Sequence, residues 1–416
     1  MDERISSVAD KTAVRAKRSR RITRAALILF VASSIAFSAV TAGAQQQPLS
    51  VRVANAAIER WPQGASKEWD FQLGVVMAGM DAAWRKTGYK AYLQYIQQTI
   101  DRFVTPDGLI LTYKPEEKSL NNMLLGRELL LLYRTTHEEK YHKAAALLRK
   151  QLFSQPHNAS GGWWHTQNTP NLMMLDDQYM ADPFYAEYAA TFNEPQDFAE
   201  ITKQFVLLDE HARDPRSGLL YHGWDETRTE TWVNKTTGTS PNLWARGMGW
   251  YMMALVDTLP YYRKNERNSK EQNRERAVLL AILNRTAAAL VRRQDPASGL
   301  WYQILDRPKE KGNYIESSSV LMITYALAKG VRLGYLPQRY SVNTARAWKG
   351  ILQRFVQIGP DGAVTVSGTV TGIALGAAPA NDGSEAYYLH APVVSNDPKG
   401  IGPFLMASAE MEGHTH

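Results

Sequence analysis

The feature that most constrains this chain is a helical period that glycine and proline repeatedly interrupt. Tyr92, Tyr95, Ile96, Ile100 and Phe103 recur at three- and four-residue steps, so they share one face of a helix. The same spacing predicts helices at about 68–86, 120–136, 139–154, 177–192, 196–211, 242–262, 274–293, 316–331, 341–357 and 400–412. Turn sequences stand between them: Thr87-Gly88, Pro106-Asp107-Gly108, Pro215-Arg216-Ser217-Gly218, Pro296-Ala297-Ser298-Gly299 and Pro360-Asp361-Gly362. The helices fall in pairs of roughly 60 residues, enough for about six hairpins. Stretches 109–113, 219–224 and 300–304 repeat an order of Asp and Pro, Gly, Leu and an aromatic, and read as short strands. A ring of hairpins gathers its loops at one mouth. No low-complexity linker interrupts the pattern, so a single domain over residues 45–416 is predicted.

Residues 1–44 are read as an address. Residues 1–24 carry eight basic against three acidic side chains, an apolar run follows from Ala25 to about Ala39, and Ala42-Gly43-Ala44 supplies small residues for cleavage. That order predicts a secretory signal peptide. The apolar run is short for a membrane span, and export to a bacterial periplasm is expected. Most of the chain's formal charge of +7 lies in this segment, so the remainder is nearly balanced and nucleic acid is not an expected partner. The chain has no cysteine, which excludes thiol catalysis, thiolate zinc sites and iron–sulfur clusters. The nine histidines show no ligand spacing, and neither a Walker, a Rossmann nor a G-x-S-x-G motif is present, so no metal and no cofactor is expected.

Three constellations could carry chemistry. Trp163, Trp164, Trp224, Trp232, Trp244 and Trp250 crowd one ninety-residue stretch, and aromatic faces of this kind stack on sugar rings. Asp176 and Asp177 open a predicted helix, where carboxylates are favoured electrostatically and where an ordinary cap is the plain alternative. Arg246 sits between Trp244 and Trp250 with Gly247 and Gly249 beside it, a pattern suited to clamping a carboxylate while backbone approaches a ligand.

Taken together, Gly161-Gly162-Trp163-Trp164-His165, Leu175-Asp176 through Phe184, Tyr221 through Glu226, Trp244 through Trp250, Gly312 through Glu316 and Asn396 through Phe404 have a recognisable order. The chain resembles glycoside hydrolase family 105, the unsaturated rhamnogalacturonyl hydrolases. The resemblance implies an all-α fold, an (α/α)6 barrel with short β-hairpin loops at its mouth. It implies a substrate oligosaccharide ending in a 4,5-unsaturated uronic acid, whose enol ether is protonated at C4 and hydrated at C5. It implies Asp176 as the catalytic acid, with His165, His222, Trp244, Arg246, Trp250 and Asn121 around the substrate. Asp177 is then either a spectator or a like-charge neighbour of Asp176. Two departures stand out: Met174 where many members have Trp, and Asn121-Asn122 where members commonly have an Asp. The alternatives carried forward are an unsaturated glucuronyl hydrolase and a non-catalytic carbohydrate-binding protein on the same scaffold.

Overall fold

The computed structural model describes residues 47–262, 270–376 and 381–413. The predicted signal segment lies outside them, apart from the question of its cleavage at residue 44. Every helix and strand below belongs to one compact unit, Leu49–Gly359 with Ala363–His416. Residues Met1–Pro48 with Pro360–Gly362 are grouped separately.

Two kinds of helix alternate along the chain. The inner set is α2 (Phe71–Thr87), α4 (Gly126–Thr136), α6 (Leu175–Phe192), α8 (Ala245–Thr258), α10 (Ser317–Arg332) and α13 (Pro398–Met411). The outer set is α1 (Leu49–Arg60), α3 (Lys90–Asp101), α5 (Glu139–Phe153), α7 (Asp197–His211), α9 (Lys270–Arg293) and α11 (Ser341–Phe355), and a short α12 spans Glu385–Leu389. The sequences explain the division. Every residue of α8 is buried, as a helix apolar on all sides must be. In α3 only Tyr92, Tyr95, Ile96, Thr99 and Ile100 are buried, a single stripe facing inward.

The inner helices close a ring: α2 packs on α4, α4 on α6, α6 on α8, α8 on α10, α10 on α13, and α13 on α2. Each is followed or preceded by an outer helix packed against it, which gives the expected all-α six-hairpin barrel. The sixth hairpin joins the two ends of the chain. Helix α1, absent from the sequence reading, packs on α13, and the backbone N–H of Ser50 donates to Glu412 at 2.8 Å. Small residues permit the closure. A Cβ on Gly79 of α2 would lie 2.8 Å from the Gly402 carbonyl oxygen of α13, and one on Gly402 would strike the Val75 carbonyl. The predicted helix over 120–136 is shorter than expected: Leu120–Asn122 form one 3-10 turn, and the α-helix begins at Gly126.

The recurrent turns acquire a physical meaning here. After α7, Asp214 accepts from the Ser217 N–H at 3.0 Å and Gly218 takes φ +76°. After α9, Asp295 accepts from the Ser298 N–H at 2.7 Å and Gly299 takes φ +75°. Both turns need an Asx acceptor and a residue tolerant of positive φ, hence the repeated sequence. They return the chain from an outer helix toward the mouth. The stretches read as strands make isolated bridges there, Val104 with Ile110, Arg213 with Leu220 and Trp244 with Ile304. The regular pairs are β1 (Leu172–Met174) with β2 (Gly223–Asp225), β3 (Val356–Ile358) with β4 (Val364–Val366), and β5 (Thr369–Val370) with β6 (Val393–Val394), all antiparallel.

Candidate active site

The N-termini of the inner helices meet at the mouth, and with them the positive ends of their dipoles. Strand β1 runs directly into α6, and β2 pairs with it, Met174 opposite Gly223. The Leu175 N–H donates to the carbonyl of His222 at 3.0 Å. This register sets the His222 ring beside the first turn of α6, where Asp176 lies.

His222 Nε2 is 3.1 Å from Asp176 Oδ2, and His222 Nδ1 is 2.7 Å from the Tyr388 hydroxyl. The imidazole is fully buried, whereas the Asp176 side chain keeps 16 % of its surface open. Trp244 packs on both partners, 4.4 Å from the His222 ring and 5.6 Å from that of Tyr388. The three residues thus form a chain from the helical core to the one carboxylate at this point that solvent can reach. Burial pushes the Tyr388 hydroxyl well above its ordinary range, which keeps it an O–H donor or acceptor beside the ring.

Asp177 is neither isolated nor exposed. Its Oδ1 lies 2.6 Å from His165 Nδ1, and its Oδ2 accepts from the Met174 N–H at 2.8 Å. One carboxylate therefore caps α6 and fixes a histidine. Burial opposes a charge on His165, but the charge and hydrogen bond of Asp177, with the Asp176 charge behind it, prevail and raise the imidazole pKa. The second histidine is thereby held cationic over a wider range than a free imidazole. Its loop is tied to the 3-10 turn that carries Asn121, through Leu120 N–H to His165 C=O at 3.1 Å, and that turn packs on α6. The structure therefore brings Asp176, His165, His222, Trp244 and the Asn121 segment to one place.

Two sequence expectations are revised. Trp250 does not join this group: it is buried in the core, stacked on Tyr179 at 5.1 Å. It lies well over one helical turn below Trp244, too deep to face the loops. Arg246 is at the mouth but is 1 % exposed, and its guanidinium donates to the carbonyls of Val370 and Thr371, both at 2.6 Å. Trp244 covers it at 4.8 Å. Arg246 thus anchors the β5 loop to α8. The two glycines beside it serve packing: a Cβ on Gly247 would press on the His222 ring at 3.3 Å, and one on Gly249 would meet Met322 of α10 at 2.8 Å.

Residues that the sequence reading missed complete the wall. Tyr388 comes from α12, 166 residues after His222. Glu316 caps α10, accepting from the N–H groups of Ser318 and Ser319, each at 2.8 Å, and Ser318 lies 3.3 Å from Arg246. Lys399, in the first turn of α13, pairs with Asp397 at 2.8 Å. Burial and the nearby Arg246 cation lower its pKa against that pairing. Two buried cations at helix N-termini are out of place electrostatically. They make the mouth receptive to a negative charge. Among the described residues, no group of three or more His, Asp or Glu is placed to hold a metal ion.

Comparison with known proteins agrees with the geometry. The sequence model of Glycosyl Hydrolase Family 88 matches residues 49–415. A solved glycoside hydrolase from family 105 of C. acetobutylicum ATCC 824 is 40% identical, with a TM-score of 0.83 over 88% of this chain and 99% of that one. The unsaturated rhamnogalacturonyl hydrolase YesR of Bacillus subtilis (strain 168) is 27% identical over 271 residues, 64% of this chain and 72% of that protein. An unsaturated glucuronyl hydrolase from Bacillus sp. GL1 shares the fold, at 14% identity and TM-score 0.64, over 89% of this chain and 96% of that one. With a family model spanning every described helix and a family 105 structure matched along nearly its whole length, this chain belongs to the glycoside hydrolases of families 88 and 105, and to family 105 among them.

Proposed function

We propose that this glycoside hydrolase removes a terminal 4,5-unsaturated galacturonic acid from rhamnogalacturonan oligosaccharides, the ends left by a polysaccharide lyase. The contact of Asp176 with His222, braced by Tyr388, carries the reading: one partly open carboxylate is held in a fixed pose at a helix N-terminus, amid buried cations. Family 105 membership and the similarity to YesR support the galacturonyl form over the glucuronyl one.

Asp176 gives its proton to C4 of the enol ether, and the charge that develops on C5 is taken up by water. The carboxylate left on Asp176 accepts the proton that this water releases. The resulting C5 hemiketal opens, the glycosidic oxygen departs as a hydroxyl, and the sugar behind it is released. His222 orients Asp176 through both half-reactions, and Tyr388 orients His222. His165 and Asn121 border the sugar, and Lys399 and the mouth's helix dipoles favour its carboxylate. The chemistry needs one acid and one water, so a second catalytic carboxylate is not required. The N-terminal segment suits export to the compartment where such oligosaccharides arise.

The test is the loss of ultraviolet absorbance of the conjugated double bond when lyase-made oligosaccharides are added. Turnover of rhamnogalacturonan fragments above glucuronyl ones is the expected outcome. Preference for glucuronyl fragments would move the substrate assignment, and no turnover of any unsaturated uronide would favour a carbohydrate-binding protein.

A further inference from the structure

The opposite end of the barrel holds a cavity of about 800 Å³ where the inner helices finish. None of the residues at Asp176 lines it. Its charged walls come from α2, α4, α6, α8, α10 and α13, so it lies on the axis of the ring rather than between two outer helices.

The carboxylates here are already engaged. Asp257 is fully buried and accepts from Arg127 at 2.8 Å and from Tyr325 and Lys329, both at 2.7 Å. Glu187 faces Arg134 at 2.5 Å and Arg127 at 3.8 Å. Glu410 is held by two nitrogens of Arg332, at 2.6 and 2.7 Å. Asp81 is held by Arg85 at 2.8 Å. A guanidinium carries several N–H donors and an ammonium three, so Arg127, Arg134 and Lys329 bring more donors than these carboxylates can accept.

Glu128 breaks the pattern. It is 2 % exposed, lines the cavity, and its Oε2 has no hydrogen-bond partner. Burial, with the Asp81 and Glu187 charges, pushes its carboxyl up to about 8 despite Arg127 beside it. At neutral pH it is an acid with an O–H to donate. The cavity's unmet capacity is therefore of one kind, donors without acceptors, on a wall with more cationic than anionic side chains.

The geometry points to a second ligand site at this floor: an oxyanion cavity that receives a carboxylate or phosphate group between Arg134, Arg127, Lys329 and Glu128. Such a group supplies the oxygens these donors lack. Inorganic phosphate and a free uronate both carry this chemistry, and the volume admits either.

Thermal unfolding of the full chain tests the site, with sodium phosphate or sodium galacturonate titrated against sodium chloride of equal ionic strength. A ligand that binds only the folded state raises Tm saturably. The expected result is such a rise with at least one of the two anions, and which one responds identifies the source. In Arg134→Gln, the half-saturating concentration should increase about tenfold. Glu128→Leu should do the same, whereas Asp176→Asn, at the other end of the barrel, should respond like the parent chain. Arg134 is partly exposed, so its variant reports even where Glu128→Leu fails to fold. No rise beyond chloride for either anion, or an unchanged half-saturating concentration in Arg134→Gln, would overturn the proposal.

Discussion

The two ends of the inner barrel sort their charges oppositely. At the mouth, Asp70, Asp176, Asp177, Glu316 and Asp397 stand at helix starts. At the floor, Arg85, Lys86, Arg134, Lys329 and Arg332 stand in last turns. Parallel helices with aligned dipoles favour this arrangement. The two ends differ in how the charges are held. Floor charges are shared among several helices in one network around Asp257. Mouth carboxylates are tied locally, each to backbone N–H groups or one partner, which leaves Asp176 its open surface. The exceptions are instructive: Arg246 and Lys399 are cations at the wrong end of their helices, and both lie where an anionic sugar would enter.

The sharpest way to break the comparison is Asp176→Asn. Turnover, followed by absorbance, should fall roughly 10²–10⁴-fold while Tm stays near that of the parent. The counterpart at the floor is Asp257→Ala. It strands the Arg127 and Lys329 cations and should cost about 3–5 kcal/mol of stability in denaturant titration. A stability loss at Asp176 as large as at Asp257 would erase the distinction between a poised site and a structural network.

Glu128→Gln sharpens the floor. The folded carboxyl is raised from 4.5 to about 8, so its contribution is fully present below about 4.5 and is lost as pH rises through 8. The variant has no such loss. It should be more stable than the parent at pH 9 by on the order of 1–3 kcal/mol, the gap closing by pH 4. A gap independent of pH would contradict the assignment. Tyr388→Phe removes one hydroxyl from His222 and should slow turnover about tenfold, with KM nearly unchanged. The smallest effect concerns Asp177→Asn. Asn can still cap α6 but offers no charge, so the His165 pKa, followed by NMR, should drop toward its ordinary value. Because the pair raises that pKa, its stabilisation is full below about 6.5 and is lost as pH rises through the folded value.

The all-round apolar α8, the one-sided α3, and the Asp-Pro-x-Ser-Gly turns after α7 and α9 were legible because each is a local pattern: three to four residues suffice to define a face or a turn. Asp176 was legible because its role follows from its place in a motif. Trp250 misled because spacing along a helix does not say which aromatic lies above the core and which within it. Arg246 misled for a related reason: the carbonyls that occupy it come from a strand 124 and 125 residues away.

By itself, then, the sequence determined the helices, their pairing, the turns and the acid at the start of α6, all set by short-range spacing and by motif. Only the tertiary structure decided that α1 closes the ring on α13, that Tyr388 reaches His222, that Asp177 holds His165, and that Glu128 faces a second cavity. Each of these joins side chains distant in sequence, and no periodicity records which helix ends will meet once six hairpins bury their apolar faces against one another.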